Sequence, residues 1–125
     1  MRFRRFVILT AAIAFASLAT MRAADVTGRW TSTFSTQVGD QTYTFDFVVK
    51  GTVLTGTAKG NMTGESKIVD GKVDGDKISF VENLDFQGMP LRIVYTGQMT
   101  SADEIKMSRN VADIATEPLV AKRVK

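Results

Sequence analysis

The chain has no cysteine and no histidine among its 125 residues. Without cysteine it can form neither a disulfide framework nor a lipid-modified N-terminal cysteine, so its core must supply the stability. Without histidine it lacks the commonest general base and the commonest zinc ligand. Chemistry would have to rest on Asp, Glu, Tyr, Lys, Ser or Thr, and no nucleophile–base pair stands out. We therefore predict no metal site and no cofactor, and rank an enzyme third among the function classes.

The N-terminus carries an uncharged run of small and apolar residues behind three arginines. The run extends over 15 residues, from Phe6 to Thr20, and Ala23 and Ala24 follow it closely. This arrangement is typical of a secretory signal peptide. A retained membrane anchor is the alternative, but a membrane-spanning helix needs ~20 residues. We predict a signal peptide over residues 1–24, periplasmic or secreted localisation, and no membrane association after cleavage.

The residues after this leader carry no net positive charge. Four of the 16 basic residues precede Asp25, so residues 25–125 carry 12 basic and 13 acidic residues. The basic isoelectric point of the whole chain belongs largely to the leader. Because the remainder has neither a basic run nor a net positive charge, nucleic acid is not an expected partner.

Residues 25–125 are enough for one domain, and their apolar residues alternate with polar ones. Alternation with a period of two, broken by short turns such as Asp74-Gly75 and Gln87-Gly88, predicts strands joined in hairpins. The predicted strands are 26–36, 41–50, 53–59, 65–71, 76–86, 91–99, 103–110 and 116–124. We predict an all-β fold, an eight-stranded antiparallel up-and-down meander β-barrel over residues 25–125.

All eight aromatic residues of this domain fall in the same phase of the alternation, together with most of the large aliphatic ones. The opposite phase is rich in threonine, serine and charge, which indicates one face toward a core and one toward water. Eight inward rings favour an interior filled by side chains, with a cavity for one small ligand as the alternative.

The first strand begins with Gly28-Arg29-Trp30 in the stretch VTGRWTS, and the chain ends in LVAKRVK. With eight strands, this Gly-x-Trp start and basic ending resemble the calycin barrels, the group of lipocalins, fatty-acid-binding proteins and avidins. The resemblance implies that Trp30 closes one end of the barrel and that Arg123, or Lys122, lies across its ring. It assigns Gly28, Trp30 and Arg123 to structural closure of the barrel.

The chain is shorter than a lipocalin, and it lacks both the lipocalin disulfide and the helical lid of fatty-acid-binding proteins. Its single tryptophan argues against biotin, which avidins surround with several. The stretches VTGRW, DGKVDGDKISFV and ATEPLVAKR also look like small secreted bacterial modules that occur alone or fused to sugar- or ester-processing enzymes. Those modules have no assigned activity, so this likeness transfers no site.

Glu82 and Arg109 are the charged residues in the apolar phase, on the fifth and seventh strands. A buried charge must be paired or solvated. One interpretation is an internal salt bridge, or two residues at an open barrel mouth. The other is a polar anchor for a ligand, helped by Tyr43 and Tyr95, and we list these four residues as candidate ligand contacts.

Asp70, Asp74 and Asp76 crowd into the stretch DGKVDGD. Calcium ligation is an alternative, but the spacing does not fit an EF-hand loop. Asp and Gly favour tight turns, so the stretch predicts hairpins rather than a metal site.

The predicted function is an exported, monomeric binding module for a small molecule or carbohydrate, auxiliary to secreted hydrolases. The alternative is a secreted inhibitor barrel that binds a protein through an apolar loop around residues 84–90. A cavity would favour the first function, and a filled barrel the second.

Overall fold

The computed structural model describes residues 25–125. The predicted signal peptide, residues 1–24, lies outside this part of the chain. The described residues form eight strands: β1 (Gly28–Thr36), β2 (Gly39–Lys50), β3 (Val53–Gly60), β4 (Gly64–Asp74), β5 (Lys77–Phe86), β6 (Met89–Ser101), β7 (Glu104–Val111) and β8 (Ala115–Arg123).

These strands form one closed barrel, and each pairs antiparallel with the next along the chain. The first and last strands close it, with Trp30 opposite Arg123 and Thr31 opposite Lys122. The predicted eight-stranded up-and-down barrel is therefore confirmed. Closure removes the free strand edges through which open sheets aggregate. Residues 25–125 include no helix of the length and apolarity needed to cross a membrane.

The predicted assignment of faces holds because each strand buries one side and exposes the other. On β5 the inward side chains Ile78, Phe80, Glu82 and Leu84 are buried and the outward ones Lys77, Asn83 and Asp85 are exposed; the one exception is Val81, which faces outward and is also buried. The same alternation places both candidate charges, Glu82 and Arg109, inside the barrel, where they are 0% and 3% exposed.

One predicted turn is instead a bulge inside a strand. β4 continues to Asp74 rather than ending at residue 71. Asp70 has a φ of 53°, and the pairing of β4 with β5 shifts register between Val69 and Lys72. A side chain at Gly71 would collide with the carbonyl oxygen of Leu54 on β3. The first Asp-Gly pair of DGKVDGD thus bends the strand, and only the second lies at a hairpin.

The barrel has two different ends. The turns β2–β3, β4–β5 and β6–β7 lie at one end with residue 25 and the C-terminus, and we call this end the floor. The turns β1–β2, β3–β4, β5–β6 and β7–β8 lie at the other end, which we call the mouth. This division decides which polar side chains can meet.

Aromatic rings fill the middle of the barrel. Phe80 stacks on Tyr95 with ring centroids 4.5 Å apart, and Phe45 stacks on Phe47 at 5.6 Å. Phe45 and Phe80 meet edge to face at 5.8 Å across the interior. Each of these rings is at most 2% exposed. The prediction of a filled interior holds for this region.

Candidate functional site

The floor is closed by Trp30, which has no exposed surface. Its indole Nε1 donates a hydrogen bond to the carbonyl of Val26 at 2.9 Å. The guanidinium carbon of Arg123 lies 4.4 Å from the centre of the tryptophan ring, in cation–π geometry. The same guanidinium donates to the carbonyls of Ala102, Thr27 and Asp25 at 2.8–3.0 Å. Arg123 thus ties the β6–β7 turn and the segment before β1 to the tryptophan.

Gly28 is part of this closure because of its backbone. Its φ is +136°, a conformation that residues with a side chain rarely adopt. A Cβ at this position would lie 2.9 Å from Nη1 of Arg123. The glycine therefore gives the guanidinium room to reach the carbonyls, and the structure brings Gly28, Trp30 and Arg123 together at the floor.

A polar layer lies above the aromatic middle, around the carboxylate of Glu82. Tyr95 donates its hydroxyl to Glu82 Oε1 at 2.8 Å, and Tyr43 donates to Oε2 at 3.0 Å. Ser66 donates to Oε2 at 3.3 Å. These three hydroxyls come from β2, β4 and β6, so the carboxylate joins strands on several sides of the interior.

Burial governs the protonation of this layer. Loss of water raises the pKa of Glu82, although the hydroxyls of Tyr95 and Tyr43 and the charge of Arg109 oppose the rise. Burial also raises the pKa of Tyr43, and that of Tyr95 lies well above its usual value for the same reason. Both tyrosines are therefore hydrogen-bond donors across the physiological range.

Arg109 takes an ionic partner that the sequence reasoning missed. Its Nε lies 3.2 Å from Oε1 of Glu117, which faces it across the β7–β8 pair. Within residues 25–125 no ion pair joins Arg109 to Glu82, so the interpretation of a salt bridge between those two is wrong. Glu117 is on the neighbouring strand, whereas Glu82 is two strands away and is occupied by hydroxyl donors.

The guanidinium of Arg109 is also held by aromatic rings. Its central carbon lies 5.0 Å from the ring centre of Phe34, 5.1 Å from that of Tyr43 and 5.6 Å from that of Tyr95. Cation–π contacts of this kind stabilise a guanidinium removed from water. The two tyrosines therefore face Arg109 with their rings and Glu82 with their hydroxyls.

A cavity of about 220 Å³ opens above Arg109 at the mouth. Nine of its fifteen wall residues are apolar, and six are polar: Thr36, Gln37, Gln41, Thr63, Arg109 and Glu117. The apolar wall residues are Val38, Leu84, Phe86, Met89, Leu91, Ile93, Val111, Ile114 and Ala115. The barrel is thus filled in its middle and open at one end.

Several buried polar atoms at this cavity have no hydrogen-bond partner among the described residues. They are Gln41 Oε1, Arg109 Nε and Nη1, and Glu117 Oε1. Arg109 Nε and Glu117 Oε1 attract each other at 3.2 Å, but the N–H does not point at the oxygen well enough for a hydrogen bond. Buried polar groups are normally paired. These four atoms are covered by neighbouring protein atoms, so a molecule in the cavity would reach one of them only where its side chain turns toward the cavity.

Of the four predicted ligand contacts, Arg109 lines the cavity. Tyr43, Glu82 and Tyr95 lie beneath it with no exposed surface, and their role as contacts stays a prediction. Sequence reasoning missed the other polar wall residues, which are Thr36, Gln37, Gln41, Thr63 and Glu117. The sequence could have identified Glu117 as an inward residue, because it shares the inward phase of the last strand with Leu119 and Ala121.

No family model matches the chain, and comparisons with curated proteins and with solved structures also find no match.

Proposed function

We propose that this protein is an exported, monomeric, calycin-like barrel that binds one small, largely apolar molecule in the mouth cavity. The observation that carries the proposal is the buried guanidinium of Arg109 at the base of an apolar cavity. Binding sites for small molecules typically combine apolar walls with a few polar groups that fix orientation.

The size of the cavity limits the ligand. Its volume is about 220 Å³, whereas an apolar cavity of ~150 Å³ accepts benzene. Pockets for drug-sized molecules begin at ~300 Å³. The fitting molecule is therefore about one ring with a substituent, or an equally short aliphatic chain.

The walls favour an apolar molecule over a carbohydrate. A sugar carries hydroxyls around its whole ring, and each would need a partner when buried. Nine of the fifteen wall residues, such as Leu84, Ile93 and Val111, cannot supply one.

A protein partner at the mouth is the second candidate, and the rim of the cavity favours it. Each of the four turns at the mouth has an exposed large apolar residue in it or next to it: Val38 at 53%, Met62 at 46%, Met89 at 59% and Ile114 at 72% exposure. Clustered apolar residues of this kind mark interaction surfaces.

The proposal is tested by titrating the labelled protein with benzyl alcohol, one ring with a polar substituent, and recording amide NMR shifts. We expect saturable changes confined to residues around the cavity, such as Leu84, Ile93 and Val111. Val111→Phe fills the cavity and should weaken binding. Val120→Phe is the matched control, because Val120 is 40% exposed on the outer face of β8.

Shifts that do not saturate, or that are the same in both variants, would contradict a ligand site in the mouth. A rim that serves a protein partner alone also predicts no saturable response to the small molecule.

A further inference from the structure

The unpartnered atoms of the cavity differ in hydrogen-bonding character. Arg109 supplies donors, at Nε and Nη1, while Gln41 and Glu117 supply acceptors, each at Oε1. We call these three residues the polar edge. Gln41 and Arg109 are 6% and 3% exposed, and the side chain of Glu117 is 12% exposed. All three residues line the cavity, but the unpaired atoms themselves are covered. A bound group therefore pairs with them only when the side chains turn toward it, and its donors and acceptors must then match theirs.

The amide nitrogen of Gln41 already has a partner, so the amide oxygen is the acceptor. Its Nε2 donates to Oγ1 of Thr36 at 3.3 Å, which leaves the amide oxygen as the group without a partner. Thr63 adds a further acceptor. Tyr43 gives its single hydroxyl proton to Glu82 at 3.0 Å, so Thr63 donates to Tyr43 at 3.1 Å and keeps only acceptor capacity for the cavity.

The charge of the polar edge is already balanced. Glu117 lies 3.2 Å from Arg109, so the cavity does not present an uncompensated positive charge. A carboxylate ligand would pair with Arg109 but would bring a second negative charge toward Glu117. Because a carboxylate has only acceptors, it would also leave Gln41 and Glu117 unpaired.

We propose that the ligand carries a neutral group with an acceptor and a donor side by side, as in a primary amide, a lactam or a urea, on a body of about one ring. The acceptor pairs with Arg109, and the donor pairs with Glu117 or Gln41. This inference rests on the proposed function, since it names the chemistry that the mouth cavity selects.

The test compares four probes with the same ring: benzamide, N,N-dimethylbenzamide, benzoate and benzyl alcohol. Dissociation constants are measured near neutral pH by NMR titration of the full exported protein. We expect benzamide to bind at least about tenfold more tightly than benzoate or N,N-dimethylbenzamide, because each of these leaves the acceptors of the polar edge unpaired.

Two variants test the residues. Glu117→Gln removes the charge and adds a donor, so it should shrink the preference for benzamide over benzoate severalfold. Glu65→Gln removes one exposed carboxylate at the mouth end of β4 and should leave the preference unchanged. Thermal melts of both variants show whether the fold persists.

The outcomes separate the two proposals. If benzyl alcohol and the other probes all fail to bind, the proposed function is wrong. If benzyl alcohol binds but benzoate equals or exceeds benzamide, the cavity is a ligand site and the neutral donor–acceptor group is wrong. Equal preference in Glu117→Gln and in the unmodified protein would also overturn the assignment of the polar edge.

Discussion

Closure of the floor can be measured with a double-mutant cycle on Trp30 and Arg123. Trp30→Leu removes the aromatic ring, and Arg123→Met keeps a side chain of similar length without the guanidinium. If the cation lies on the ring as the geometry shows, at 4.4 Å, the two substitutions together should cost less than the sum of the single changes.

The magnitude follows from the contacts. Replacing a buried large aromatic residue with a smaller one costs several kcal/mol, and complete truncation costs ~3–5 kcal/mol. For Trp30→Leu we expect about 3 kcal/mol, since leucine refills part of the space while the carbonyl of Val26 loses its donor. Arg123 donates to three carbonyls and its side chain is 24% exposed. At ~1 kcal/mol for each bond, Arg123→Met should cost about 3 kcal/mol, more than stacking alone would give.

The coupling energy should be about 1 kcal/mol, the size of a partly desolvated cation–π contact. The assay is urea denaturation followed by far-UV circular dichroism, because Trp30 itself is the only tryptophan and cannot report on its own replacement. All variants are measured with the same concentration of sulfate, which favours the folded state.

Arg29→Met is the control, since Arg29 points outward beside Trp30 and pairs with Asp46 at the surface. It should leave the midpoint unchanged. Additivity within ~0.5 kcal/mol would refute the contact between Arg123 and the ring. An unchanged midpoint in Trp30→Leu would refute closure by the tryptophan altogether.

Three further predictions concern the interior carboxylate, the floor glycine and the leader. Burial raises the pKa of Glu82 above its ordinary value of 4.5, so the protonated carboxyl favours the folded state. This contribution to stability is complete below pH 4.5 and is lost as the pH rises through the raised pKa of the folded protein. Glu82→Gln should therefore gain melting temperature relative to the unmodified protein as the pH rises through this window, and a difference independent of pH would contradict the shift. Gly28→Ala should destabilise more than Gly39→Ala, because both have positive φ but only Gly28 faces Arg123; equal melting temperatures would show that the guanidinium simply moves aside. The intact mass of the exported protein should correspond to cleavage between Ala19 and Asp25, and a mass that includes residues 1–20 would contradict export as a soluble domain.

The sequence was sufficient to predict the barrel because nearly every strand has one wet and one dry face. Alternation identifies such strands, and short turns then allow only a meander. The ends of the strands were harder to predict from the sequence. Asp70-Gly71 and Asp74-Gly75 read alike, yet the first forms a bulge inside β4 and the second lies at the β4–β5 hairpin. At the first pair, the carbonyl of Leu54 on the neighbouring strand packs against Gly71. This contact joins two strands, so the sequence around Gly71 does not predict it.

The candidate site was predictable only in part, for a related reason. Phase in a strand shows that Glu82 and Arg109 point inward, but the partner of each depends on register and on height in the barrel. Glu117 was identifiable as inward by the same phase, with Leu119 and Ala121, although Thr116 and Pro118 beside it weaken the alternation. The open end was not predictable, because the inward aromatic residues that suggest a filled barrel are concentrated in its middle and lower part.

Because Glu82 and Arg109 do not pair with each other, each takes different partners, and Arg109 takes its partner at the mouth. Strands β5 and β7 are separated by β6, so the two backbones are ~10 Å apart, whereas β7 and β8 are ~5 Å apart. Tyr95 on β6 stands between the two charges. Its hydroxyl satisfies Glu82 at 2.8 Å, and its ring lies 5.6 Å from the guanidinium of Arg109. A direct ion pair would have consumed the donors of Arg109 inside the barrel. With Glu82 satisfied by hydroxyls, Arg109 turns to Glu117 at the mouth and keeps two buried nitrogen atoms without hydrogen-bond partners beneath the cavity.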